Sequence, residues 1–163
     1  MKTLLLTLAC SFFVYAGSAQ LQSTPVCPPF LIDVLEGIIN DKLDCNSTLG
    51  EIQKTFPCFT DSAAEKNMHA CGAVFYIEKD ITFFTERDYI EIGENFKGRL
   101  TPALLGMPRN GLFKLLGNPQ IKDINWDAYR TKYGILVLYY NKAGKVNKLQ
   151  MSSKNAESLK LCE

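Results

Sequence analysis

The sequence predicts an α+β fold made of two tandem repeats, each with one or more helices followed by a short antiparallel meander. In each half, apolar residues first recur with a helical period and then alternate as in short strands. The strand-like runs are joined by short polar turns, which is typical of an antiparallel meander. We expect the repeats to span residues 20–97 and 98–163 and to form one continuous domain.

Composition limits the classes of function. The chain has 163 residues, of which 47% are hydrophobic and 21% are charged, as in an ordinary globular protein. With 18 Lys+Arg against 17 Asp+Glu there is no electrostatic case for nucleic acid as a partner.

The first 19 residues have the layout of a secretory signal peptide. Lys2 supplies a positive start, an apolar run extends over residues 4–15, and small residues occupy positions 17–19. Cleavage is expected before Gln20, which leaves a mature chain without a transmembrane segment. A lipid-bearing Cys10 is the less favoured alternative, because the apolar run continues beyond it. We therefore expect a secreted or periplasmic protein.

Export makes the cysteines of the mature chain disulfide candidates. Five remain after the signal peptide, so at least one is unpaired within the chain. The favoured bridge joins Cys58 to Cys71, which flank a polar segment between a helix and a strand. Cys27 with Cys45 is the next choice, because they bracket one predicted helix, and Cys162 is then left over.

Two helices are predicted in the first half. One opens at Pro28-Pro29, since proline is tolerated in a first turn, and carries an apolar stripe at helical spacing: Leu31, Val34, Leu35 and Ile38. The second begins at Thr48, where Thr48-Leu49-Gly50-Glu51 fits a capping box, and Pro57 closes it.

Alternating residues then predict three short strands at 72–77, 81–85 and 89–92, and residues 93–99 are the candidate linker.

The second half repeats this order. Pro108 starts a predicted helix that Gly117 terminates. Residues 135–140 form a strand that is apolar on both faces, and residues 146–151 alternate. A short helix is predicted near residues 154–161.

One segment of the second half resembles a known repeat. It consists of Gly106-Met107, Leu115-Leu116-Gly117-Asn118-Pro119, Tyr133-Gly134, Tyr139 and Gly144-Lys145-Val146. This order is similar to the repeat of beta-lactamase-inhibitor-like proteins and of outer-membrane-assembly lipoproteins of the SmpA/OmlA type. The resemblance covers mainly residues 106–151. It implies a helical layer on an antiparallel sheet, with the other sheet face available to a partner protein.

No enzyme signature stands out in the sequence. His69 is the one histidine, which excludes two-histidine metal sites, and we expect no metal and no cofactor. A Cys71–His69 nucleophilic pair is the less favoured enzymatic alternative, because a bridged Cys71 is no nucleophile. The carboxylates at positions 78–91 fall mostly in turns among basic residues, as on a solvated hairpin edge.

Aromatic residues of the strands are the candidate binding residues: Tyr76, Phe84, Tyr89, Trp126, Tyr129 and Tyr140. Strand alternation prevents neighbours such as Tyr139 and Tyr140 from facing one core, so part of this set lies on the face away from the helices. Either a tail or loop covers that face, or it binds another protein. The leading hypothesis is a non-enzymatic, inhibitor-like binding module. The alternative is a structural component of envelope assembly.

Overall fold

A computed structural model describes residues 25–63 and 71–162, and these residues are mostly β. The predicted signal peptide and His69 lie outside the described residues. The elements within them are β1 (Leu31–Asp33), β2 (Ile38–Ile39), α1 (Leu49–Thr55), β3 (Asp61–Ala63), β4 (Ala73–Tyr76), β5 (Ile81–Phe84), β6 (Tyr89–Ile92), β7 (Arg99–Thr101), α2 (Phe113–Leu116), β8 (Ile121–Lys122), β9 (Trp126–Arg130), β10 (Ile135–Tyr140) and β11 (Val146–Ser152).

The strands form two sheets of unequal size. The small sheet has the order β2-β1-β7, and the large one has the order β3-β4-β5-β6-β11-β10-β9-β8. All neighbours in the large sheet are antiparallel, whereas β1 and β7 pair in parallel. None of the helices in the described part of the chain is long and apolar enough to cross a membrane.

Register defines two faces of the large sheet. Leu136 lies opposite Tyr129 and Met151 on what we call the inner face. Val137 lies opposite Ala128 and Gln150 on the outer face. Because successive side chains alternate, β10 can be apolar on both faces only if something covers each of them.

The core lies between the inner face, the small sheet and α1. Phe30 stacks on Phe56 with ring centroids 4.0 Å apart, and Tyr76 meets Phe30 edge-on. The Tyr76 hydroxyl donates a hydrogen bond of 2.7 Å to the Phe56 carbonyl, so its one polar group is satisfied in the core. Most apolar side chains of the inner face are therefore buried in this core.

The fold-class prediction of two helix-plus-meander repeats is wrong. Where a helix was expected from Pro28 onward, the chain forms β1, a turn and β2. The buried residues there are Phe30, Ile32 and Val34, which follow a strand period rather than the helical spacing. The Asp33 carboxylate accepts hydrogen bonds from the backbone N–H groups of residues 35 and 36. These bonds favour a turn.

The predicted second helix is confirmed as α1. Thr48 and Glu51 form the expected capping box, in which each side chain bonds the backbone N–H of the other. The three strands of the meander are confirmed as β4, β5 and β6, and the later two as β10 and β11.

Two other expectations differ from the structure. The helix after Pro108 is reduced to a 3₁₀ turn, Arg109–Gly111, and the single turn α2, which ends at Gly117. Residues 154–161 contain a turn rather than a helix. The proposed boundary between residues 97 and 98 falls just before β7, which pairs with β1 of the first segment.

The cysteine pairing also needs correction. The bridges join Cys27 to Cys58 and Cys71 to Cys162, while Cys45 is a free thiol buried in the core. The partners are 31 and 91 residues apart in sequence, so long-range packing brings them together and their spacing does not reveal it. Two disulfides are compatible with an exported protein.

Candidate functional site

The outer face of the large sheet is covered only in part. Toward the β8 edge it is apolar, in the centre it is polar, and toward β4 it is aromatic. In the order of these three groups, the side chains are Ile121, Trp126, Ala128, Ile135 and Val137; Tyr139, Lys148, Gln150 and Glu91; and Phe75, Phe84 and Tyr89.

A hollow of about 240 Å³ opens over the apolar group. The sheet forms its floor, of which Ala128, Ile135 and Val137 are already buried, and residues after β11 pack against this floor and form a wall. The lining consists of Ile121, Trp126, Ala128, Ile135, Val137 and Tyr139 from the sheet and Ala156, Leu159 and Leu161 from the chain end. No charged side chain is among them, so the hollow suits an apolar group.

The wall belongs to a segment that we call the C-terminal tail, residues 153–162. At its start, the Lys154 ammonium lies 2.6 Å from the Asp88 carboxylate, and the Ser153 backbone N–H donates to the Asp88 carbonyl. At its far end, the backbone N–H of Cys162 donates to the Tyr89 hydroxyl at 3.1 Å, and Cys162 is bonded to Cys71. The tail is therefore anchored at both ends.

The polar centre of the outer face is internally satisfied. The Glu91 carboxylate accepts from the Gln150 amide at 2.7 Å and from the Lys148 ammonium at 3.2 Å. The Tyr139 hydroxyl donates to the Gln150 amide oxygen at 2.9 Å, and the Lys148 ammonium lies over the Tyr139 ring. Because these groups bind one another, they form a border to the hollow rather than a free charged site.

The third group is a small aromatic cluster. Phe84 stacks on Tyr89 with centroids 4.4 Å apart, and Phe75 meets Phe84 edge-on. Tyr89 is buried, while Phe75 and Phe84 are half-buried.

The six predicted binding residues are divided between the two faces. Trp126 lines the hollow, and Phe84 and Tyr89 belong to the outer aromatic cluster. Tyr76, Tyr129 and Tyr140 are buried on the inner face, where a partner cannot reach them. Each of these hydroxyls donates a hydrogen bond to a buried group, so the tyrosines can be buried without leaving a polar group unpaired.

A buried carboxylate, Asp127, explains why Tyr129 and Tyr140 lie on the inner face. Asp127 is 2% exposed and accepts hydrogen bonds from the Arg109 guanidinium, from Tyr140 at 2.7 Å and from Tyr129 at 3.4 Å. Burial alone raises the pKa of Asp127, but the bonds from Arg109 and Tyr140 outweigh it and leave that pKa below its usual range. Arg109 also donates to the carbonyls of Asp123 and Ile124.

This cluster has the character of a structural anchor. The Arg109 guanidinium lies over the Tyr140 ring, and burial, followed by the hydrogen bond to Asp127, raises the pKa of Tyr140. An ionised Asp127 held by a permanent cation has no proton to give and is a weakened base. It joins the segment at Arg109 to the edge of the large sheet.

The cysteines in the described part of the chain offer no free reactive pair. Cys71 is bonded to Cys162, so its sulfur is not a thiol. Burial raises the pKa of the Cys45 thiol to about 12, which makes it a poor nucleophile. Within residues 25–63 and 71–162, no group of three or more His, Cys, Asp and Glu side chains is arranged to hold a metal ion.

The sequence reasoning missed Ile121 and the tail residues Leu159 and Leu161. One available signal was the strand at 135–140, whose two apolar faces require a cover on both sides. A second was the position of the two leucines just before a cysteine.

Comparison with known proteins gives no relative: no family model, no curated protein and no solved structure matches this chain.

Proposed function

We propose that this protein is an exported, non-enzymatic binding module whose outer-face hollow holds one apolar side chain of a partner protein. The observation that carries the proposal is the hollow itself, which is lined by eight apolar residues and Tyr139 and by no charged residue. Export is supported by the two disulfides and by the signal-peptide layout of residues 1–19.

The size of the hollow favours a side chain over a larger ligand. Pockets for drug-sized molecules enclose about 300–1,000 Å³, whereas a cavity of about 150 Å³ already accepts a benzene ring. A hollow of about 240 Å³ therefore fits one leucine, phenylalanine or similar group.

The position of the hollow favours an extended segment of the partner. β8 ends the large sheet, and its Ile121 side chain lines the hollow. A strand added beside β8 would present alternate side chains to the outer face, next to Ile121. Backbone hydrogen bonds would then give affinity, and the hollow would select the side chain.

A peptide selection tests this proposal. The oxidised full-length mature chain is used to select from a phage-displayed library of seven-residue peptides. We expect the enriched peptides to share one large apolar residue. Their binding should shift the emission of Trp126, which is the one tryptophan of the chain.

A matched pair of variants locates the site. Ile121→Glu places a charge at the hollow, whereas Ile38→Glu changes a residue of similar exposure, 40% against 38%, in the two-residue strand β2. We expect Ile121→Glu to weaken binding of the selected peptides at least about tenfold, because the bound peptide would bury the new charge. We expect Ile38→Glu to leave the affinity unchanged. Equal affinity for the two variants, or no shared apolar residue, overturns the proposal.

A further inference from the structure

We infer that the Cys71–Cys162 disulfide assembles this binding site by holding the C-terminal tail in place as its second wall. The inference rests on the proposed function, since it concerns the same hollow. It assigns a positioning role to a bridge that lies outside the hollow lining.

The tail contributes a substantial part of the site. Three of the nine lining residues belong to it: Ala156, Leu159 and Leu161. Ala156 and Leu159 pack against the small apolar cluster formed by Ala128, Ile135 and Val137. Without the tail, the floor of the hollow would be an open sheet surface with no lateral wall.

The tail depends on its far anchor. Between its two ends, the backbone hydrogen bonds described for residues 155–161 are local, from the N–H groups of Ser158 and Leu159 to the Asn155 carbonyl. The rest of the attachment is the packing of a few small or half-buried side chains. Among the described residues, the bridge and the hydrogen bond from Cys162 to the Tyr89 hydroxyl are therefore the contacts that fix the far end of residues 156–161 on the sheet.

The bridge requires a defined redox step. The thiols of Cys71 and Cys162 lose two protons and two electrons as the S–S bond forms. A disulfide-bearing oxidoreductase of the export pathway accepts them and becomes a dithiol. The binding site is consequently complete only in the oxidised chain.

The chain offers a matched control for testing this role. The double variant Cys71→Ser/Cys162→Ser removes the tail anchor. The double variant Cys27→Ser/Cys58→Ser removes the other bridge, whose cysteines pack against the inner core. Near-ultraviolet circular dichroism establishes that each variant is folded.

The fluorescence of Trp126 shows whether the tail is in place when no peptide is bound. We expect its emission to shift to longer wavelength, and its quenching by acrylamide to increase, in Cys71→Ser/Cys162→Ser but not in Cys27→Ser/Cys58→Ser. An unchanged Trp126 signal in a folded Cys71→Ser/Cys162→Ser variant overturns the inference.

Binding is measured with a synthetic copy of the tightest selected peptide. We expect Cys71→Ser/Cys162→Ser to bind it at least about tenfold more weakly than the native chain, and Cys27→Ser/Cys58→Ser to retain affinity. Equal or tighter binding after loss of the Cys71–Cys162 bridge overturns the inference while the proposed function stands. A native chain from which no peptide can be selected overturns the proposed function and this inference together.

A second variant decides the matter if the double variant does not fold. Leu159→Ala keeps both bridges and shortens the side chain that packs on the sheet. We expect this variant to bind the peptide more weakly and to show more quenching of Trp126 by acrylamide. Native values for both quantities contradict the role of the tail as a wall.

Discussion

The two faces of the large sheet are covered in different ways. The inner face is sealed by the small sheet, α1 and the loops around Leu104 and Leu112, which share one continuous core with it. The outer face is contacted by the tail, of which Ala156, Leu159 and Leu161 line the hollow. One alternating strand, β10, therefore packs into the core with one set of side chains and lines the hollow of the proposed binding site with the other.

The two disulfides follow the same division. Cys27 and Cys58 pack against the inner core, where they join the segment before β1 to the end of α1. Cys71 and Cys162 tie the tail to the start of β4 and therefore shape the outer face. One bridge lies against the core, and the other joins the tail to the large sheet.

Among truncations to alanine, the largest effect is expected for one of two neighbours on β5. Phe83 is 1% exposed on the inner face, whereas Phe84 is half-buried on the outer face. We expect Phe83→Ala to lower the free energy of unfolding by about 3–5 kcal/mol, through lost burial and a cavity. Phe84→Ala should cost about 1–2 kcal/mol, since it loses partial burial and its stacking on Tyr89.

Urea unfolding of both variants, with the disulfides intact, measures this difference. Equal losses would mean that the outer face is as tightly packed as the inner one, which contradicts the comparison.

The same distinction explains what the sequence could reveal. The meander strands and α1 were predictable because their signals are local: alternation over four residues, or a capping box between Thr48 and Glu51. The apolar residues from Phe30 onward fit both a helical period and a strand period. The turn that the Asp33 carboxylate stabilises favours the strand.

Other features could not follow from local signals. The parallel pairing of β1 with β7 joins residues far apart in the chain, and so does each disulfide. The hollow depends on this long-range placement, because its wall and its floor come from different segments. Of the candidate binding residues, only Trp126 lines it, since Tyr129 and Tyr140 are bonded to Asp127 on the other face.

A smaller effect is expected at the buried ion pair of the inner face. Arg109→Met keeps an unbranched apolar stem but removes the guanidinium, which leaves the Asp127 carboxylate without its paired cation. We expect a loss of about 2–3 kcal/mol at neutral pH, less than for a fully buried pair because the Arg109 side chain is 27% exposed.

The pH dependence of this variant gives a second readout. In the native chain, the lowered pKa of Asp127 contributes stability above about pH 4, and this contribution is lost as pH falls through the folded pKa. In Arg109→Met, the Tyr140 hydrogen bond and the charge of Lys122 still oppose the effect of burial but the guanidinium does not, so the pKa of Asp127 is higher than in the native chain and the stability it contributes above about pH 4 is smaller. Urea unfolding at several pH values should therefore show the gap between the two proteins narrowing toward acid. A gap that is constant with pH contradicts the assignment.

The smallest effect is expected at the hollow itself. Ile121 is 38% exposed in an edge strand of two residues, so Ile121→Glu should change the free energy of unfolding by no more than about 0.5 kcal/mol. Ile90, on the inner face of β6, is 1% exposed, and the corresponding Ile90→Glu should fail to fold because a charge would enter the core. Chemical unfolding of Ile121→Glu beside the native chain measures the first value, and expression with circular dichroism tests the second. A loss of several kcal/mol for Ile121→Glu would show that the hollow is part of the folding core. A small loss together with weakened peptide binding would separate the two faces by function, because the same residue would then matter to a partner and not to the fold.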